Sequence, residues 1–162
     1  MIKAKAYERR ERILKLLREA IEAENRRDME TAKERLSEVL ELSEVYEPEF
    51  YFEACFRMAN VLLEEEDYCG AIEYSLRGIR RAPSREHYRL GIIRLGDVLR
   101  AINAIGKLGE LAKEADDRIG QIKGDEELYG FMLEVLKIAR GQRSDRRFRT
   151  KEFNAVLESL SR

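Results

Sequence analysis

A chain of 162 residues is long enough for one domain with a sizeable core. Hydrophobic residues make up 44% and charged residues 39%, which excludes an intrinsically disordered chain. The 31 basic and 32 acidic residues leave a formal net charge of -1, which argues against nucleic-acid coating over the whole surface but leaves local basic patches open.

The first residues, MIKAKAYERRERI, contain no uninterrupted apolar run of the kind that directs secretion, and no window approaches membrane-span length. A cytoplasmic protein without membrane contact is expected. Cys55 and Cys69 form no CxxC pair and have no histidine at ligand spacing, so no metal or cofactor site is expected. They read as packing residues near opposite ends of a helix hairpin rather than as a disulfide.

Helical periodicity dominates and strand-like alternation is nearly absent, which predicts an all-α chain. Tyr7, Ile13, Leu14, Leu17, Ala20 and Ile21 mark a first helix, ended by NRRD at 25–28. Asp28 is placed to cap a second, whose apolar face is Met29, Ala32, Leu36, Val39 and Leu40. Pro48 suits the first turn of a third helix, with Phe52, Cys55, Ala59 and Leu62 inward. Asp67 caps a fourth with Tyr68, Ala71, Ile72, Ser75, Leu76 and Ile79 inward, and Pro83 stops it.

Ser84 caps a fifth, with Tyr88, Ile92, Leu95, Leu99 and Ile102 on one side; Gly91 and Gly96 in it predict close backbone approach or a bend. After NAIG at 103–106, a sixth helix carries Ile105, Leu108, Ala112, Ala115, Ile119 and Ile122. A seventh after KGDEE carries Leu128, Met132, Leu136 and Ala139. GQRSDRRFR interrupts, and Thr150 is expected to cap a short last helix presenting Phe153, Val156, Leu157 and Leu160.

The turns near Asp28, Asp67 and Ala104 recur at roughly 38 residues, a helix-pair period. Single amphipathic helices of this length cannot bury their apolar faces alone, so stacked hairpins give the simplest core. A closed bundle obeys the same packing rule and stays open as an alternative.

FEACFRMANVLLEEEDYCGAIEYSLRGIRRAP, residues 52–83, resembles one tetratricopeptide repeat unit. Cys55 stands at the family's first aromatic position, Met58 and Ala59 at its Leu-Gly pair, and Leu62 at its tyrosine. Ala71, Ser75, Gly78 and Pro83 fall at the alanine, second aromatic, alanine and proline. NRRDMETAKERLSEVLEL resembles another second half. The resemblance implies antiparallel helical hairpins stacked as a short solenoid over residues 1–140, with a divergent C-terminal helix pair. Residues 141–162 then supply a basic loop and a short capping helix packed on the same domain. Its implied function is a non-catalytic adaptor that takes a protein or peptide partner in a groove lined by helices 1, 3 and 5. Asn60 falls where the carboxylate-clamp subgroup carries an asparagine, while Phe56 replaces its lysine.

Two weaker resemblances point elsewhere. YRLGIIRLGDVLRAIN resembles a translin-family helix, but Arg94 and Val98 occupy its acidic catalytic slots, which implies at most an inactive RNA-binding relative. Arg81 and His87 resemble the arginine–histidine pair of HEPN-type ribonucleases, with Pro83 and Ser84 intervening. His87 is the only histidine, so a Ser-His-Asp or histidine-rich arrangement has no second candidate, and no enzyme is expected.

Arginines carry the remaining signal. Arg77 and Arg81 are one turn apart, Arg85 and Arg89 repeat that spacing beyond Pro83, and Arg80 lies between; the five either rim one positive surface for a partner's carboxylates or phosphates or form a solvated face neutralised by Glu73 and Glu86. The segment KIARGQRSDRRFRTKEF places Arg143, Arg146, Arg147 and Arg149 beside Phe148 and Phe153, a pattern for RNA or an acidic partner. The terminal helix caps either its own core or a second copy in a homo-oligomer.

Overall fold

The computed structural model describes residues 2–162, with side chains described at 3–114 and 119–162. Among the described residues there are eight α-helices and no strand. They are α1 (Ile2–Asn25), α2 (Met29–Ser43), α3 (Pro48–Glu64), α4 (Tyr68–Arg80), α5 (Arg85–Ala104), α6 (Leu108–Arg118), α7 (Glu126–Ala139) and α8 (Lys151–Leu160). A 3-10 turn, Ile119–Ile122, closes α6 where a continuous sixth helix was expected; Ile119 and Ile122 are still buried, and Ala115 of the expected apolar row lies outside the described side chains.

Local chemistry sets most boundaries. Asp28, Asp67, Ser84 and Asp125 each accept a hydrogen bond from the backbone N–H three residues on, satisfying an amide that the helix start leaves free. Pro48 occupies the first turn of α3. Thr150 departs from expectation: it precedes α8 but makes no side-chain cap, because its hydroxyl donates to Glu127 Oε2 at 2.7 Å.

The turns repeat more closely than the residues in them. Arg27, Glu66 and Gly106 have φ of 64°, 65° and 73°, positions 39 (27 to 66) and 40 (66 to 106) residues apart. In each turn the next N–H reaches back five residues, Asp28 to Ala23 O, Asp67 to Leu62 O and Lys107 to Ile102 O. This is the closure of a helix by a left-handed residue, where glycine is the unstrained choice. A non-glycine residue in that region costs roughly 1 kcal/mol. Replacing Glu66 by Gly is therefore expected to stabilise the chain by about 0.5–1 kcal/mol, read as a thermal midpoint higher by about 1–4 °C in circular dichroism. An unchanged or lower midpoint would contradict the strain.

The first two turns hand over to a capping aspartate; the third hands over to Lys107, whose ammonium instead meets Glu110 at 3.2 Å. The hairpins differ accordingly. α1–α2 and α3–α4 pack extensively and antiparallel, as Arg12–Glu38 and Arg35–Glu19 show for the first. The expected third hairpin is not built that way: α6 touches α5 lightly and packs chiefly on α4 and α7.

α8 fills the vacated side of α5. It runs parallel to α5, pairing Arg85 with Thr150, Arg89 with Glu152 and Arg100 with Ser159. Gly96 allows this approach, since a Cβ there would lie 2.6 Å from Val156 Cγ2. α1, α3, α5 and α8 thus stand in one row, with α2, α4, α6 and α7 behind it. The apolar face of α8 (Phe153, Val156, Leu157 and Leu160) is spent on this chain's own core.

The core face of α1 is Ile13, Leu16, Ala20 and Ala23, not the expected Tyr7 and Leu14, which are 63% and 52% exposed. α1 ends the row, so a narrow stripe is all its neighbours cover. Cys55 is buried and Cys69 half-buried, both as free thiols. Burial pushes the Cys55 thiol up to about 12, which makes it inert.

Candidate functional sites

The structure distributes the predicted partner-binding residues over three places. Asn60 is exposed on α3, beside a hollow of about 310 Å³ lined by Glu53, Phe56, Arg57, Asn60, Arg94 and Asp97. A chain of ion pairs crosses this face from α1 to α5: Glu24–Arg57 at 3.7 Å, Arg57–Glu53 at 3.4 Å and Glu53–Arg94 at 3.2 Å. Arg94 also lies over the rings of Phe52 and Phe56. Burial holds the Glu24 carboxyl above its ordinary range, partly offset by Arg57. Arg94 entered the sequence reading only through the translin resemblance; helix spacing puts Arg57 and Arg94 on the polar face, but only packing brings them together over Glu53.

The two arginine pairs part at Pro83. Arg81 points back to α2 and α3, donating to Glu44 O at 2.7 Å and lying 4.3 Å from the Tyr51 ring centroid. Arg77 stacks on Tyr74 at 4.5 Å. Arg85 and Arg89 instead face Thr150 and Glu152, so the two pairs do not rim one positive surface. The reason is geometric: the break at Pro83 restarts the helix phase, and α5 turns its arginines toward α8.

α2 and α4 both pack on α3 but not on each other. The gap between them is a cleft of about 490 Å³ lined by Ser37, Leu40, Glu41, Glu44, Tyr51, Tyr74, Arg77, Arg80, Arg81 and Gln121. Tyr51 is nearly buried at its floor, and that burial raises its phenol above the ordinary value. Sequence reading missed Tyr51 and Gln121; the spacing of Tyr51 to Cys55, one helical turn, was the available signal.

The basic segment at 141–150 is an extended strap with many fixed points. Phe148 is buried against Phe131 and Phe153. Its N–H donates to Asn154 Oδ1 at 2.8 Å, and Asn154 Nδ2 donates to its carbonyl at 2.9 Å. Ser144 Oγ donates to the buried Glu134, and Thr150 donates through both N–H and Oγ1 to Glu127. Burial raises the Glu127 carboxyl, but the bonds from Thr150 and the Arg149 N–H outweigh it and hold the group below its ordinary range.

Neither Phe148 nor Phe153 is available to stack on a base, because the core consumes both rings. Arg146 lies over Phe148 and against Gly130, whereas Arg143 and Arg147 face solvent with Asp145 and Glu158 as loose partners. Together with Arg162 they border an open cleft of about 820 Å³. Arg149 contributes its backbone N–H to Glu127.

Arg81 and His87 do not meet. His87 packs edge-on to Phe52 at 5.1 Å, with Nδ1 2.7 Å from Ser84 Oγ. Tyr88 donates to Asp125 at 2.7 Å, tying α5 to the start of α7, and burial first and this bond second raise its phenol. Among the described residues no group of three or more His, Cys, Asp or Glu side chains is arranged to hold a metal ion, and no helix is long and apolar enough to cross a membrane. Comparison of the chain with family models, curated proteins and solved structures returns no match.

Proposed function

We propose that the chain is a non-catalytic adaptor, built as a short tetratricopeptide-like solenoid, that holds a peptide segment of a protein partner on the face of α1, α3 and α5. The observation that supports this reading is the side-by-side row of these helices with an open hollow at Asn60. The side chains of these ion pairs keep 23–35% of their surface exposed, and pairs that reach solvent are worth only about 0–1 kcal/mol. A peptide carrying charges of both signs can replace them at little cost, while Asn60 offers both a donor and an acceptor to its backbone. In this reading α8 stands where a further repeat would begin and closes the row.

Selection from a random peptide library tests the proposal. Enriched peptides are expected to lose about tenfold in affinity when Asn60→Ala and Arg94→Glu are combined, and to keep it in Arg147→Glu. Enrichment of peptides indifferent to the double change would place the partner elsewhere.

A second reading, an RNA-binding helical protein of inactive translin-like kind, draws on the charge separation along the chain. Residues 137–162 hold eight basic and three acidic side chains, net +5, against 23 basic and 29 acidic in the rest, net -6. With both strap phenylalanines buried, such binding rests on phosphate contacts alone, and its affinity falls steeply with salt. Arg143, Arg147 and Arg149 are the residues whose change would weaken it.

A further inference from the structure

The cleft between α2 and α4 lies on the far side of α3 from the hollow at Asn60, and the adaptor reading above makes no use of it. We propose that it is a carboxylate-binding site in which Arg77 and Arg80 present guanidinium forks to a single carboxylate on a residue-sized ligand. Among the described residues neither arginine has an ion-pair partner, although glutamates line the opposite wall; Arg81 is taken by Glu44. Most arginines of α1 to α3 meet a carboxylate, so two neighbouring arginines without one on the same open cleft stand out.

The cleft is shaped for such a ligand. Arg77 is half-buried and laid on Tyr74, so one of the two forks is held before a ligand arrives, while Arg80 is exposed. Fixing a fork in advance reduces the ordering cost of binding and favours planar, bidentate acceptors. The volume of about 490 Å³ falls in the range of small-ligand pockets and suits one residue or a small acid, with Leu40 and the tyrosine rings for its apolar part.

Charge selects the anion. Three arginines and two glutamates line the cleft, leaving it one positive charge in excess. One carboxylate neutralises that excess, whereas a phosphate dianion would overshoot it and face Glu41 and Glu44. The same balance disfavours a nucleic-acid backbone. The carboxylate can belong to a free organic acid or to the C-terminal residue of a peptide, which share this chemistry.

Titration followed by NMR at the arginine side-chain Nε–H groups tests the site on the intact chain, with benzoate, N-acetyl-phenylalanine and inorganic phosphate as probes. Saturable shifts at Arg77 and Arg80 with the two carboxylates, and binding by phosphate weaker by about tenfold, are expected. Arg77→Ala should weaken the carboxylates about tenfold, and Arg80→Ala, fully on the surface and harmless to the fold, about threefold. Tighter binding of a tetrapeptide with a free C-terminus than of its amidated form or of N-acetyl-phenylalanine would identify a peptide end as the source. The reverse ranking would identify a free acid. Shifts that do not saturate, that phosphate produces equally well, or that keep the parent affinity in Arg80→Ala would overturn the proposal. Because this cleft and the hollow at Asn60 share no residue, loss of one leaves the other open to test.

Discussion

Phe153→Ala is expected to cost about 3–5 kcal/mol of folding free energy. The ring is fully buried and lies 4.7 Å from Phe131, 5.6 Å from Phe148 and 6.3 Å from Tyr88, centroid to centroid. Truncation removes its own buried surface and leaves a void that three further aromatic rings cannot fill without moving. The loss is large against the roughly 5–15 kcal/mol that holds a typical domain together. It also falls on the anchor of the strap, because Phe148 is held between Phe131 and Phe153. Urea unfolding should show a lower midpoint, and trypsin should cut more rapidly between Arg143 and Arg149. A midpoint loss equivalent to less than about 1 kcal/mol would mean that α8 is not integral to the core.

Gly91→Ala sets two effects against each other and is expected to destabilise by about 1–2 kcal/mol. In an exposed helix interior the change would gain roughly 1 kcal/mol from propensity. Here a Cβ would lie 2.7 Å from Ile79 Cγ1, 3.3 Å from Phe56 Cζ and 3.4 Å from Phe52 Cε2. All three side chains are buried and none offers a flexible end at the contact, so α4 and α5 must move apart. Overpacking of this kind costs about 1–3 kcal/mol. The same substitution at Gly120, where a Cβ meets nothing within 4 Å, is the control. If Gly91→Ala melts at or above the parent temperature, the close contact of α4 and α5 is not as tight as the geometry implies.

Much of this architecture is legible in the chain. Asp28, Asp67 and Ser84 announce helix starts because a short side-chain acceptor satisfies an amide three residues away, a purely local event. The buried sets of α2 and α4 follow from three- and four-residue spacing. Gly91 and Gly96 announce close approach or a bend, and the contacts at both positions are those of close approach. Thr150 shows the limit of such reasoning: its residue type says cap, but a carboxylate 23 positions earlier takes its hydroxyl.

The candidate sites were less legible. Arg77, Arg81, Arg85 and Arg89 share a spacing, yet spacing within a helix says nothing of phase across Pro83, and the pairs face different neighbours. Phe148 and Phe153 sit among arginines in the chain and in an aromatic core in space. The cleft around Tyr51 belongs to three helices and a 3-10 turn, so no single stretch of sequence contains its pattern.

The sequence by itself determined the helices, most of their caps, the recurrence of the turns and the side of each inner helix that is buried. These depend on interactions within a few residues. Only the tertiary structure decided that α6 leaves α5, that α8 returns beside it in parallel, and that α2 and α4 stand apart over Tyr51. Those outcomes depend on which apolar faces meet after the chain has come back on itself over some sixty residues, as from Arg85 to Thr150. Periodicity states that a face must be covered; packing alone states by what.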